Sequence, residues 1–544
     1  MDSTELEPLR ERIEHVVVLM LENRSFDHLL GYLRHPNEDE YESLNPSGQF
    51  SNLEDPGDAR SPRWLAVPEG RRHTPLDPAH SHDAVMLQLG LAPSGLEQNS
   101  GFVASYLEKA GAARVVQARK VGLELAAVMM GCLPESLSPG ISRLAKEFAI
   151  CRRWFSSVPG ETWPNRNFAH AATSDHTVNI ELGVYSDPTV FEQLDQFSAE
   201  RHPWRIYHEG PAQVMAFRKL WNDDRMEDHF FELRSFVEHV AAGNLPRYSF
   251  LEPNHNTPGA RLLYPRSNSQ HPNNNRVPLE RYAGDDASSG ADFRRGDALV
   301  CEIYEALRKK PALFEKTLFL ITYDEHGGWY DHVAPPAVVP PGDRLDRGFL
   351  RSLIGKFVRP GRHTFDFGRL GARVPAIAVS PWIAPATLDH TEYDHSSIPR
   401  TVRELFAPSA PPLSARDAAA RSFAHLVGGL GAPRRARTFP ASRTASRRVP
   451  AWLTLPPRTT RSSCLPTNSN DPLTPWCSSS QKTWGSPSRR SSTSPSFQPG
   501  CGTRRCFPAH WPKKQRRRSG RSRPGPVSAE RRQPELSGSK MRHV

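Results

Sequence analysis

The sequence predicts an α/β protein, a three-layer α/β/α sandwich around a mostly parallel central sheet. Three observations predict it. Apolar, β-branched runs recur at strand length, amphipathic helical stretches lie between them, and polar clusters stand where the runs stop. HVVVLML (His15–Leu21) is continuous in apolar residues, as a strand buried on both faces requires. TLFLITY (Thr317–Tyr323) repeats the pattern, and VPAIAVSPWI (Val374–Ile383) does so a third time. GDALVCEIYEALRK (Gly296–Lys309) carries apolar residues at three- and four-residue spacing and reads as a helix. Strands interleaved with helices give a layered, largely parallel sheet. Polar, Pro- and Asn-rich connections such as Asn256–Asp292 read as surface insertions.

Composition narrows the classes. The 544 residues are 37% hydrophobic, and no stretch approaches the roughly 20 continuous apolar residues of a membrane-spanning helix. The body also shows no marked amphipathic helix for lying on a membrane. The net charge of +11 is unevenly placed: residues 431–544 hold 24 Lys and Arg against three acids, which leaves residues 1–430 with 46 bases and 56 acids. The body is therefore acidic, and nucleic-acid binding is not expected of it. Residues 1–430 form the expected catalytic domain. Residues 431–544 are a basic, Pro/Ser/Arg-rich tail expected to be disordered, with the composition of GC-rich DNA read out of frame. That makes the tail a candidate frameshift product, although its basic run Lys513–Arg523 suits nucleic acid or anionic lipid. Cys132, Cys151 and Cys301 in the body, and Cys464, Cys477, Cys501 and Cys506 in the tail, show neither a disulfide framework nor paired metal-ligand spacing. The opening MDSTELEPLRERIEH lacks the apolar core of a secretory signal. The chain as written is expected in the cytoplasm, and in the periplasm or outside the cell where a leader precedes it.

Ligands in parallel sheets bind beyond the carboxyl ends of the strands, so the loops following the apolar runs are the first candidates. ENRSFDH follows HVVVLML, and Glu22 and Asn23 offer two hard oxygen ligands or cap a short helix. YDEHGGWYDHV follows TLFLITY. Its adjacent Asp324 and Glu325 are costly to bury unless a cation neutralises them, and a solvated acidic turn is the alternative. Gly327 and Gly328 permit a sharp turn, and His326 and His332 add imidazoles. In PGETWPNRNFAH, Thr162 lies at the start of a helix spanning Asn165–Ala172, either as a nucleophile beside free backbone N–H groups or as an ordinary cap. Further histidines stand in DPAHSHD (His80), EPNH (His255), QHP (His271) and YDHSS (His395).

ENRSFDHLLGYL, PGETWPNRNFAHAATSD, EPNH, DEHGGWYDHVAPP, RVPAIAVSPWI and YDHSSIPRTVRELF together resemble the phosphoesterase family, in order and over roughly Glu14–Val427. The family holds bacterial phospholipases C, plant non-specific phospholipases C and a group of acid phosphatases. The resemblance implies an alkaline-phosphatase-like sandwich and one divalent ion (Ca, Mg, Mn or Zn) on Glu22, Asn23, Asp324 and Glu325. It implies that Thr162 is the nucleophile and touches the metal, and that His80 and His255 contact phosphate or transfer protons. His271 is assigned the same task, although Asn273–Ser289 stands as an insertion where the family continues QHP with an acidic stretch. Asn165, His326 and His332 complete the implied site on the substrate side. The expected reaction is metal-dependent phosphate-ester hydrolysis of phospholipase C type through a phospho-threonine, with a phosphate ester such as a phospholipid as substrate. Acid phosphatase activity on the same fold and nucleic-acid binding through the tail are the competing readings.

Overall fold

The computed structural model describes residues 3–45, 49–91, 98–112, 125–181, 185–221, 226–256, 266–276, 292–342, 365–435 and 437–438. The strands are β1 (His15–Leu21), β2 (Ser51–Leu53), β3 (Arg63–Leu65), β4 (Ala149–Trp154), β5 (Trp204–His208), β6 (Phe230–Glu232), β7 (Tyr248–Glu252), β8 (Thr317–Tyr323), β9 (Ala376–Val379) and β10 (Thr387–Tyr393). Eight of them form one sheet in the order β10-β4-β9-β8-β1-β7-β5-β6, while β2 and β3 make a separate antiparallel hairpin. The two apolar runs that follow one pattern in sequence, β1 and β8, are central neighbours paired in parallel from His15↔Thr317 to Leu21↔Tyr323. β8 is buried at every residue and β1 at all but His15, which is why neither alternates polar and apolar positions.

The third predicted strand differs from expectation in length and direction. Only Ala376–Val379 forms strand, because Pro375 and Pro381 flank the segment and neither has an N–H to donate; Val374 N–H still reaches Trp154 O at 2.9 Å. β9 runs antiparallel to both β4 and β8, whereas the remaining strands of the sheet run parallel to one another. Its N-terminal end therefore lies where β8 ends, with Thr322 opposite Ala376.

Helices cover both faces. Pro139–Glu147, Ser235–Ala242 and Asp292–Arg308 pack together on one side, and Ser3–Arg12, Thr162–Ala171, Val190–Phe197 and Ser397–Phe406 on the other. Ser397–Phe406 shows the mechanism: Ile398, Val402 and Leu405 recur at helical spacing and are all buried. The predicted Gly296–Lys309 helix begins earlier, at Asp292. A second apolar cluster, including Val85, Phe102, Tyr106, Met129, Trp329 and Tyr330, joins the segment after β1 to the loop after β8. Among the described residues no helix is long and apolar enough to cross a membrane. Cys132, Cys151 and Cys301 are free thiols.

Arg434 and Arg437, beyond the change in composition, are tied to the body. Arg434 donates to Ile383 O at 2.7 Å and lies over the Phe148 ring, and Arg437 pairs with Glu147 at 3.2 Å. The rest of the expected tail, from residue 439, and most of the Asn273–Ser289 insertion lie outside the described residues.

Candidate active site

Because β1 and β8 are parallel and in register at their last residues, Glu22 and Asp324 leave the sheet side by side. The pairing continues past the strands, with Asp324 N–H donating to Leu21 O at 3.2 Å and Arg24 N–H to Glu325 O at 3.1 Å. Asn23 takes a left-handed backbone (φ 57°), a conformation asparagine tolerates better than most residues, and its N–H donates to Asp324 Oδ1 at 3.1 Å. Gly327 and Gly328 also have positive φ, 67° and 74°. A Cβ at Gly327 would stand 2.4 Å from Asn23 O, so glycine is what lets the two loops touch.

Glu22, Asn23, Asp324 and Glu325 are all buried. Glu22 Oε2, Asn23 Oδ1 and Glu325 Oε1 are buried oxygens without a hydrogen-bond partner in the protein. Native interiors rarely leave such atoms unpaired, and oxygen donors gathered this way suit a hard divalent cation. The residues present therefore fit the implied metal. Burial pushes the Asp324 carboxyl up despite Arg166, with Glu22 adding to the effect, and burial and Asp324 together push Glu325 well above the ordinary range.

The structure surrounds these oxygens with two cations, the expected His255 and an Arg166 that the sequence did not announce. Arg166, one turn beyond Thr162 on the Thr162–Ala171 helix, is fully buried and donates Nε–H to Asp324 Oδ2 at 3.2 Å. Its Nη1 lies 3.8 Å from Glu252 at the end of β7. His255 stands between Glu22 (2.8 Å) and Glu252 (2.9 Å). Burial opposes its charge, but the two carboxylates outweigh this and raise its pKa to about 9. In turn the His255 imidazolium, with Arg166, overcomes burial to hold Glu22 below the usual carboxylate range and Glu252 at about 2. His395 donates Nε2–H to Asp324 O at 2.6 Å.

Thr162 is the first residue of its helix and 8% exposed, more accessible than Glu22, Asn23, Asp324 or Glu325. Glu161, at the N-cap, makes no side-chain capping bond, so the helix N-terminus keeps N–H groups for another partner.

His80 and His271 stand edge to ring, 5.5 Å apart, beside Asp77. Asp77, His80 and His271 gather donor atoms within 4.8 Å of one another, a second group able to hold a cation and one whose acid the sequence reading passed over. Lys109 Nζ lies 3.8 Å from the other Asp77 oxygen. His80 Nδ1 faces Pro78 O at 2.9 Å, and burial keeps the ring neutral, which puts its lone pair on Nε2. His271 Nδ1 accepts from Asn273 N–H at 3.1 Å, which puts its proton on Nε2.

The three residues expected on the substrate side each have partners within the protein. Asn165 folds its amide onto the preceding loop, accepting from Val158 N–H and donating to Val158, Gly160 and Glu161 carbonyls; it shapes the approach to Thr162. His326 points into the second apolar cluster, with Nε2 2.9 Å from Gln88 Oε1, and burial lowers its pKa to about 3. His332 pairs with Asp27 at 2.7 Å and packs on Phe50. Beyond the turn at Gly327 and Gly328 the chain carries His332 to Asp27, whereas His326, before the turn, keeps Nδ1 3.4 Å from Glu325 Oε2.

Residues 13–407 match the Phosphoesterase family, and the chain belongs to that family. It is 34% identical to Non-specific phospholipase C3 of Arabidopsis thaliana over 414 residues, covering 72% of this chain and 69% of that protein. It is 27% identical to Phospholipase C B of Mycobacterium tuberculosis over 427 residues, covering 75% and 76%. A solved structure of an alkaline phosphatase superfamily protein from Vibrio parahaemolyticus is 12% identical with a TM-score of 0.29, over 51% of this chain and 61% of that one. Membership of the family makes the chain a phosphoric ester hydrolase.

Proposed function

We propose that the protein is a metal-assisted, phospholipase C-type hydrolase that works through a phospho-threonine formed on Thr162. One observation carries the reading: buried oxygens of Glu22, Asn23 and Glu325 stand unpartnered where the central strands end. The relatives named as phospholipases C support the substrate class, a phosphate diester of a lipid.

The chain's own residues then have distinct tasks. Glu22, Asn23, Asp324 and Glu325 would hold a divalent cation, which would supply Lewis acidity to a hydroxyl and a phosphoryl oxygen. The uncapped N–H groups ahead of Thr162–Ala171 receive phosphoryl oxygens. The Thr162 oxygen bonds to phosphorus as the bond from phosphorus to the leaving oxygen breaks, and the hydroxyl proton is passed on. His80, neutral with its lone pair on Nε2, carries that proton to the leaving oxygen, while His271 donates Nε2–H to the phosphoryl group. Water then attacks phosphorus, releasing the phosphate monoester and returning the proton to Thr162. His255 is occupied by Glu22 and Glu252 and serves by fixing Glu22.

The test is hydrolysis of p-nitrophenylphosphorylcholine and p-nitrophenyl phosphate by wild type and Thr162→Ala, with and without chelator. Chelator-sensitive turnover of the diester and a loss of at least about 10³-fold in the variant are expected. Preference for the monoester would replace phospholipase C with phosphatase activity. Equal rates in wild type and variant would remove Thr162 from the mechanism.

A further inference from the structure

The two loops that carry the oxygen donors have irregular backbones, with left-handed residues at Asn23, Gly327 and Gly328. Next to the strands the loops are tied directly, by Asp324 N–H to Leu21 O, Arg24 N–H to Glu325 O and Asn23 N–H to Asp324 Oδ1; their far ends need a tie of their own. We infer that Arg373 is a positioning residue whose buried guanidinium clamps the Glu22–Asn23 loop to the Asp324–Glu325 loop and so sets the geometry of the metal site. The inference rests on the metal reading above.

Arg373 is fully buried. Its Nη2 donates to Asp27 Oδ1 at 3.0 Å and its Nε to Asp331 Oδ1 at 2.9 Å. Asp27 lies four residues beyond Asn23, and Asp331 six beyond Glu325, so each carboxylate anchors the far end of one donor loop. The anchoring is doubled at each point. Asp27 N–H donates to Asp331 Oδ2 at 3.3 Å, and His332 N–H donates to Asp27 Oδ2 at 2.7 Å. Ser25 Oγ–H donates to Tyr330 O at 2.6 Å, and Phe26 N–H to Arg373 O at 3.1 Å. The guanidinium also lies 4.5 Å over the Phe26 ring, and its Nη1 donates to Arg152 O at 3.2 Å.

Arg373 reaches this place because β9 is antiparallel. A parallel strand would bring its C-terminal residues to this end of the sheet. β9 brings the residues just before it, and Arg373 precedes Ala376 by three. Burying one guanidinium between two carboxylates is a poor route to stability, since well-packed apolar residues often serve as well or better. What the arrangement supplies is direction. Planar, forked donors hold two carboxylates at fixed separation, which a lysine cannot do.

The test measures Mn²⁺ binding to the full chain by calorimetry, a readout independent of turnover. Arg373→Met should bind Mn²⁺ about 10–100-fold more weakly, the range for loss of groups that orient metal ligands. Arg373→Lys should fall between it and wild type. The control is Arg403→Met, which breaks a comparably buried pair with Asp417 (3.2 Å) outside both loops and should keep wild-type affinity. Should Arg373→Met fail to fold, Asp331→Asn decides by the same measurement: the amide keeps the shape but has one oxygen for the two donors, Arg373 Nε and Asp27 N–H, and no charge to hold the guanidinium, so it should also bind Mn²⁺ more weakly. Wild-type affinity in the folded Arg373 or Asp331 variants, or an equal loss in Arg403→Met, would overturn the clamp. Absence of Mn²⁺ binding by wild type would instead overturn the metal reading and the clamp with it.

Discussion

Gly327→Ala tests whether close contact between the donor loops organises the site. The new Cβ would sit 2.4 Å from Asn23 O, 2.7 Å from Asn23 C and 2.8 Å from Asn23 Cβ, where ordinary contact begins at 3.4 Å. Relief demands a displacement of about 1 Å, and the atoms in the way are backbone and a short side chain. Holding alanine at φ 67° adds about 1–2 kcal/mol, and crowding a packed site about 1–3 kcal/mol more. Together these give a stability loss of about 2–5 kcal/mol. Moving Asn23 by about 1 Å should also lower kcat/KM roughly 100-fold. Gly243 provides the matched control. It has φ 71°, but a Cβ there meets nothing within 4 Å, so Gly243→Ala should cost only the conformational part and leave turnover unchanged. Urea unfolding and diester hydrolysis of both variants are the assays. If Gly327→Ala loses no more stability than Gly243→Ala and keeps wild-type turnover, the contact with Asn23 has no bearing on the site.

Two further predictions concern charge and chain length. In chelator-treated protein, Asp324 and Glu325 have folded-state pKa values raised above their unfolded ones, so their contribution to stability is complete at acid pH and is lost as pH rises through the raised values. His255, raised to about 9, adds to the fall above its unfolded pKa. Glu325→Gln should reduce the decline between pH 5 and 8, and saturating divalent cation should reverse it by about 2.7 kcal/mol at 100 times its Kd; an unchanged pH profile in the variant would contradict the assignment of Glu325. Deleting residues 439–544 should leave unfolding and turnover unchanged, whereas deleting 431–544 should cost about 1–3 kcal/mol by removing the Arg434 hydrogen bond to Ile383 O, with equal urea midpoints as the contrary result.

What could be read from the sequence depended on how far a residue's role lay from its neighbours. β1 and β8 were legible because burial on both faces leaves a continuous apolar run. The acids after them were legible because carboxylates beside such a run need a reason. The direction of β9 was not: four apolar residues between prolines read the same in either orientation. Arg166 and Arg373 were invisible because an arginine in sequence resembles any surface residue. Their burial arises only when partners 158 and 346 positions away, Asp324 and Asp27, are brought to them. The surroundings of His326 and His332 were not legible either, since proximity in sequence to Asp324 and Glu325 says nothing about which way a loop with two left-handed glycines turns.

The electrostatics of the site give an independent reason to place a dication there. Glu22, Asp324, Glu325 and Glu252 bring four carboxylates to one buried end of the sheet. Arg166 and the His255 imidazolium lie within 4 Å of three of these acids and supply two positive charges. His326 and His395, with pKa values lowered by burial to about 3 and 4, supply none at neutral pH. Among these described groups the acids exceed the cations by two. Glu325 faces neither cation, and Asp324 shares Arg166 with Glu252; these two are the carboxyls whose pKa values burial raises while those of Glu22 and Glu252 are held down. Protons can satisfy that deficit, but at neutral pH a divalent cation does so without forcing a carboxyl to stay protonated. Glu22 Oε2, Asn23 Oδ1 and Glu325 Oε1, which lack partners, are the oxygens that would hold such a cation.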